Sequence, residues 1–162
     1  MVNSVNHIWD LLNDVFDPEV PVLSVVDLGI VRSVDEVESV IHVTITPTYI
    51  GCPAMQTIEK DIKKKLEGQG IEKYQINTVL SPAWTTDWMS QEGKQKLKDY
   101  GIAPPQNEPD KSLLFVDPII VPCPKCDSED TKMVSQFGST ACKAHYQCNQ
   151  CLEPFDYFKC FR

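Results

Sequence analysis

Apolar side chains recur at Val5, Ile8, Trp9, Leu12, Val15 and Phe16, the three-and-four spacing that lines one face of a helix. Ser4 is placed to cap this helix, and Pro18, which disfavours helical geometry at Asp17, ends it near Phe16. An extended loop follows, Asp17-Pro18-Glu19-Val20-Pro21, carrying two carboxylates. The runs Leu28–Val34 and Val37–Thr46 predict two strands joined by a turn at Asp35-Glu36. In the second strand Ile41, Val43 and Ile45 share one face, and Val40, His42, Thr44 and Thr46 share the other. A second helix starts just after Cys52, with Pro53 at its first position and Met55, Ile58, Ile62 and Leu66 as its apolar stripe. Residues 73–80 alternate as a third strand. Ser90 to Tyr100 forms a last helix, capped by Ser90 and stopped by Gly101. The order α-β-β-α-β-α predicts an α+β protein, a small α/β sandwich with a three- to four-stranded mixed sheet.

The pattern breaks at residues 103–112, where three prolines and almost no apolar residues mark a linker. The expected division is therefore a domain over residues 1–105, a linker and lead-in strand over 106–120, and a separate β module over 121–162. That last piece is too short for an ample apolar core and needs a staple. Its segments Thr131–Phe137, Ala144–Gln147 and Phe155–Phe161 have the aromatic and β-branched content of short strands.

Charge and length narrow the functional classes. With 162 residues and a formal net charge of -8, the chain lacks the basic surface that nucleic-acid binding requires. No run of about 18 apolar residues is available to span a membrane. The first residues have neither the basic start nor the apolar centre of a secretory signal, so a cytoplasmic location is expected.

Cysteine usage is lopsided. Cys52 stands alone in the first 122 residues, whereas Cys123, Cys126, Cys142, Cys148, Cys151 and Cys160 crowd the rest. Cys123-Pro-Lys-Cys126 and Cys148-Asn-Gln-Cys151 are two Cys-x-x-Cys pairs separated by 21 residues, a spacing suited to tetrahedral zinc in a ribbon. Iron in the same ligands, or redox thiols without metal, are the alternatives. Four thiolates fill the tetrahedron and leave no place for a substrate, so such a zinc ion is structural. Cys142 and Cys160 are then spare small hydrophobes, and His145 is close enough in sequence to compete as a ligand.

Cys52 is a different case. It precedes a predicted helix, whose unpaired N–H groups and positive dipole end favour a thiolate, and Gly51 beside it allows close approach. An inert core cysteine is the competing reading. Asp17, Glu19 and Asp27 are the acids best placed to join it, although acids beside a proline loop also serve as turn and cap residues. There is no phosphate-cradling glycine loop, no nucleophile-elbow serine and no paired-histidine motif, with His7, His42 and His145 scattered. One thiolate with carboxylates suits transient holding of a soft metal or cluster better than conventional catalysis.

Together, Asp17-Pro18-Glu19-Val20-Pro21-Val22, Val26-Asp27-Leu28-Gly29-Ile30-Val31 and Thr48-Tyr49-Ile50-Gly51-Cys52-Pro53-Ala54 resemble the metal–sulfur cluster assembly domain family. Ser81-Pro82-Ala83-Trp84-Thr85-Thr86-Asp87-Trp88-Met89 and Tyr100-Gly101-Ile102-Ala103-Pro104-Pro105, followed by the cysteine-rich tail, look like its PaaD branch, and the likeness covers nearly the whole chain. The resemblance implies a non-catalytic accessory factor that delivers or inserts iron or an iron–sulfur cluster into a multicomponent phenylacetyl-CoA epoxidase. Its partners would be the oxygenase and reductase subunits, with a second copy of the chain as another candidate. It carries the family's acid–threonine–cysteine patch to Asp17, Glu19, Asp27, Thr46, Thr48 and Cys52, with a transient iron or iron–sulfur cluster at Cys52. A structural subunit of the oxygenase complex, or a rubredoxin-like electron carrier, are the alternatives. Trp84 and Trp88 serve either docking or packing of the last helix.

Overall fold

The computed structural model describes residues 5–106 and 119–159. Ser4, most of the expected linker and Cys160 lie outside the described residues. The elements are α1 (Val5–Leu12), β1 (Val31–Val37), β2 (Val40–Ile45), α2 (Ala54–Gly68), β3 (Tyr74–Thr78), a 3-10 turn (Thr86–Trp88), α3 (Gln91–Tyr100), β4 (Ile102–Ala103), β5 (Thr131–Ser135), β6 (Lys143–Cys148) and β7 (Pro154–Phe158). They form two compact units that divide between Gly93 and Lys94. None of the helices among the described residues is long and apolar enough to cross a membrane.

The first unit holds a mixed three-stranded sheet, β1-β2-β3, with β1 antiparallel and β3 parallel to β2. The alternation in β2 is as expected: Ile41, Val43 and Ile45 are buried, while the residues between them are half-buried. Ala54, Ile58, Ile62 and Leu66 form the buried stripe of α2, so Ala54 takes the place expected for the half-buried Met55. Full burial of Ile58, Ile62 and Leu66 contributes about 1.5–3 kcal/mol each before chain entropy is counted.

Three boundaries differ from the sequence expectation. Strand β1 starts at Val31 rather than Leu28, because Leu28 and Gly29 lie in a turn closed by the Ser24 and Val26 carbonyls, with Gly29 at a φ of 71°. The turn of the β1–β2 hairpin is at Glu38-Ser39, not Asp35-Glu36, and both residues take left-handed φ values of 50° and 65°. That geometry matches the twist of a two-residue hairpin but usually announces itself with Asn or Gly. The exposed acids at 35 and 36 instead sit on the solvated edge strand. Helix α1 ends at Leu12 rather than near Phe16. Val15 and Phe16 already belong to a folded-back loop in which the Val25 N–H donates to the Val15 carbonyl and Phe16 bridges Ser24. Phe16 is consequently exposed.

The second unit holds a four-stranded sheet in the order β4-β7-β6-β5. Its first strand, Ile102–Ala103, runs parallel to β7 and pairs with Asp156 and Tyr157. This pairing explains why the units divide before α3 is complete and not at residues 105–106. A two-residue strand in front of paired prolines has no periodic signature. Tyr146, one of the two fully buried tyrosines here, stacks on Phe155 at 5.9 Å and meets the other, Tyr157, edge-on at 5.6 Å. Ala103, Val121, Ala144, Cys123 and Cys148 complete this core.

Candidate functional site

The four ribbon cysteines converge. Their sulfur atoms all lie within 4.8 Å of one another, with Cys123 Sγ 3.7 Å from Cys151 Sγ and Cys126 Sγ 3.6 Å from Cys148 Sγ. A metal held at about 2.3 Å by four thiolates sets a tetrahedron edge of roughly 3.8 Å, so the donor set fits one ion. Disulfides would need about 2.05 Å.

The cage is built from two matching turns. Cys123 N–H donates to the Ser128 carbonyl and Cys148 N–H to the Glu153 carbonyl, each at 2.9 Å. The residue after each second cysteine, Asp127 and Leu152, takes left-handed φ values of 59° and 62°. Salt bridges Lys98–Asp127 at 2.6 Å and Lys125–Glu153 at 2.9 Å brace the two turns from outside.

Two of the thiols are shifted in opposite directions. The Cys151 backbone N–H, aided by that of Gln150 and by thiol donors, lowers Cys148 to about 7 despite its burial. At Cys126 the Ser128 N–H works in the same sense, but desolvation and hydrogen bonds with Cys151, Cys148 and Cys123 outweigh it and push the thiol up to about 12. A bound metal would replace the thiol protons and crosslink the turns, which is structural chemistry. Cys142 is buried outside the cage, with its sulfur 3.0 Å from Thr140 Oγ1. His145 is half-exposed and faces Asp156 at 3.4 Å.

The Cys52 patch is organised by the end of a sheet. Val31 pairs with Ile45, the Thr46 N–H donates to the Ile30 carbonyl, and Thr78 pairs with Ile45 from the other side. The loop before β1, the loop after β2 and the segment after β3 therefore all leave the same end of the sheet. They carry Asp17, Glu19 and Asp27; then Thr46, Thr48 and Cys52; then Trp84 and Trp88.

Among the described residues Cys52 and these acids do not converge as a ligand group, and the acids have structural partners. Asp17, which is buried, accepts the N–H groups of Glu19 at 2.7 Å and Val20 at 3.0 Å, and so shapes its own loop. Asp27, 5% exposed, accepts the Ser24 N–H while Ser24 Oγ accepts the Asp27 N–H, a reciprocal capping box. Its other oxygen accepts from Ser90 Oγ at 3.0 Å, and Ser90 in turn caps α3 through the Gly93 N–H. The pattern Ser24-x-x-Asp27 carried this signal in the sequence.

Trp84 is a packing residue, 5% exposed, and its indole N–H donates to the Leu28 carbonyl at 2.8 Å. Trp88 keeps an exposed portion, with the Arg32 guanidinium 3.5 Å from its ring centre. Gly29 has φ of 71°, and a Cβ there would lie 2.4 Å from the Trp88 carbonyl oxygen. Cys52 is half-exposed, one residue before the cap of α2, and Gly51 beside it has φ of 81°. Thr46 differs from the acids. It is 1% exposed, and its hydroxyl has no hydrogen-bond partner among the described residues.

Comparison with known proteins follows the same two-part division. Residues 6–78 match the family described as iron-sulfur cluster assembly protein, and residues 107–159 match the PaaD zinc beta ribbon domain. An Escherichia coli protein, named as one subunit of a putative 1,2-phenylacetyl-CoA epoxidase, is 46% identical over 96% of this chain and 93% of its own length. A Porphyromonas gingivalis Fe-S protein maturation auxiliary factor is 37% identical over 54% of this chain and 84% of its own length. Among solved structures, a domain of unknown function from Bacillus anthracis superposes with a TM-score of 0.54 at 33% identity, covering 57% of this chain and 90% of that one.

Proposed function

The chain belongs to the PaaD family, and from that premise we propose that it is an accessory maturation factor for a multicomponent phenylacetyl-CoA epoxidase. It helps to assemble or insert an iron or iron–sulfur centre in that system without itself catalysing the oxygenation. The match to the iron-sulfur cluster assembly family lies at residues 6–78, within the first unit, and relatives named as Fe-S maturation auxiliary factors cover about half of the chain, which supports assigning the assembly role there. The observation that supports the reading is that the segments bearing Cys52, the acids and Thr46, whose buried hydroxyl has no partner among the described residues, leave the same end of the sheet.

In this reading Cys52 ligates the iron or cluster being transferred. Asp17, Glu19, Asp27, Thr46 and Thr48 form the polar surround that shapes the site. Zinc held by Cys123, Cys126, Cys148 and Cys151 gives the ribbon its structure, and the oxygenase and reductase subunits are the partners.

The test is metal and acid-labile sulfide content, with a visible spectrum, on anaerobically purified wild type and Cys52→Ala. Near one zinc per chain in both, with iron and sulfide only in the wild type, is the expected result. Cys52→Ala should also fold normally yet fail to activate the epoxidase in cells lacking the wild-type protein. Fully active epoxidase with that variant refutes the proposal. The name of the Escherichia coli relative favours one other reading, a resident subunit of the oxygenase. Stable stoichiometric co-purification with the oxygenase would establish it.

A further inference from the structure

Strand β3 is an edge. Among the described residues it pairs with β2 and with no strand on its other side. The Lys73 carbonyl and the Val79 N–H are both bonded to β2 residues, at 3.0 and 2.9 Å. Backbone groups alternate sides along a strand, so those of Tyr74, Ile76 and Thr78 face the unpaired edge.

The side chains of these same residues face α2. Tyr74 OH donates to Glu67 at 2.5 Å, and Thr78 Oγ1 donates to Glu59 at 3.1 Å. Between strand and helix runs an open groove of about 730 Å³, lined by Glu59, Lys63, Glu67, Glu72, Tyr74 and Ile76. Its floor is apolar at Tyr74 and Ile76, and its rim carries three carboxylates against one ammonium.

We propose that this edge and groove bind an extended segment of a partner protein by strand addition, with lysine or arginine at alternate positions. The added strand pairs with the outward N–H and C=O groups of Tyr74, Ile76 and Thr78. Every second side chain then enters the groove. A long basic side chain suits it, because its aliphatic stem covers Tyr74 and Ile76 while its head reaches Glu59, Glu67 or Glu72. An acidic strand would place like charges together and be rejected. This inference does not depend on what Cys52 does.

The test uses the full chain, isotopically labelled, and a short blocked peptide of alternating lysine and valine. Saturating peptide should slow amide exchange at Tyr74, Ile76 and Thr78 roughly tenfold or more, as expected for newly paired strand amides. The edge of β1 should not change. The double variant Glu67→Lys, Glu72→Lys alters exposed residues and should weaken binding by about tenfold or more. A glutamate-for-lysine peptide that binds equally well overturns the proposal. So does unchanged exchange at the three amides under saturation. Slow exchange at those amides in the free chain also overturns it, because the edge would then be covered by this chain or a second copy.

Discussion

The two units meet the same stability problem with different means. The first buries aliphatic side chains on regular elements, Ile41, Val43 and Ile45 of β2 and Ile58, Ile62 and Leu66 of α2. The ribbon core is instead mostly aromatic rings and sulfur, with Tyr146, Phe155 and Tyr157 beside Cys123 and Cys148. Small domains cannot bury enough apolar surface to offset chain entropy, and a crosslink compensates. Cysteine spacing therefore stands in for hydrophobic periodicity where the chain is short.

Breaking the crosslink should give the largest effect. Chelation, or Cys148→Ser, should collapse the dispersed amide resonances of β5, β6 and β7 and leave those of β1, β2 and β3 in place. Structural zinc sites supply on the order of 10–16 kcal/mol of apparent binding energy at neutral pH, more than a module this small can replace. Loss of both sets together would show that the units do not fold separately.

Acid should act in the same direction by a graded route. Loading the cage expels thiol protons, so metal retention should weaken as pH falls, most steeply below about 7, where Cys148 itself protonates. In the metal-free ribbon the sign is the same. The folded value of Cys148 lies below its ordinary 9.0, so its thiolate stabilises fully above that pH and is lost as pH falls through about 7. Metal release into a chromophoric chelator, followed against pH, measures the first effect. Release that is flat from pH 8 to 5 would contradict it.

Gly29→Ala should sharpen the contrast from the other side. Its left-handed φ of 71° and the 2.4 Å approach to the Trp88 carbonyl leave no room for a methyl group. A loss of about 2–4 kcal/mol in the first unit is expected, with the metal content of the ribbon unchanged. Denaturant melting followed by tryptophan fluorescence, alongside metal analysis, checks both halves.

What was legible in the sequence follows from which physical signal each element carries. The α2 stripe, the β2 alternation and the two Cys-x-x-Cys pairs announce themselves, because burial period and ligand spacing are local. The Glu38-Ser39 turn did not, since its left-handed residues are neither Gly nor Asn. Strand β4 was invisible because its two residues are fixed by pairing with β7 alone. At the candidate site, Cys52 and the acid loops could be named from sequence. That the segments carrying them leave the same end of the sheet is a property of register, which no single segment encodes. Trp84 suits docking or packing equally on sequence grounds, because its burial and its hydrogen bond to the Leu28 carbonyl depend on tertiary structure.

Asp27→Ala removes a buried carboxylate that ties the loop before β1 to the start of α3, through Ser24 and Ser90. It should cost the first unit about 2 kcal/mol, from the lost cap and the donors left behind. Asp27→Asn should recover part of this, since an amide oxygen still accepts from one serine. Equal losses would show that charge, not hydrogen bonding, holds the loop.

Thr46→Val should produce the smallest change and the opposite sign. The Thr46 hydroxyl is buried without a hydrogen-bond partner among the described residues, which carries a desolvation penalty that valine, of the same shape, does not incur. The variant should therefore be more stable by about 1 kcal/mol in denaturant melts. If the hydroxyl is held in reserve for transferred iron or cluster, the same variant should lose epoxidase activation in cells while its ribbon keeps the metal. A gain in stability with full activation would make Thr46 a packing residue and leave Cys52 to carry the site with the acids. A loss of stability would instead reveal a partner for the hydroxyl in the folded chain.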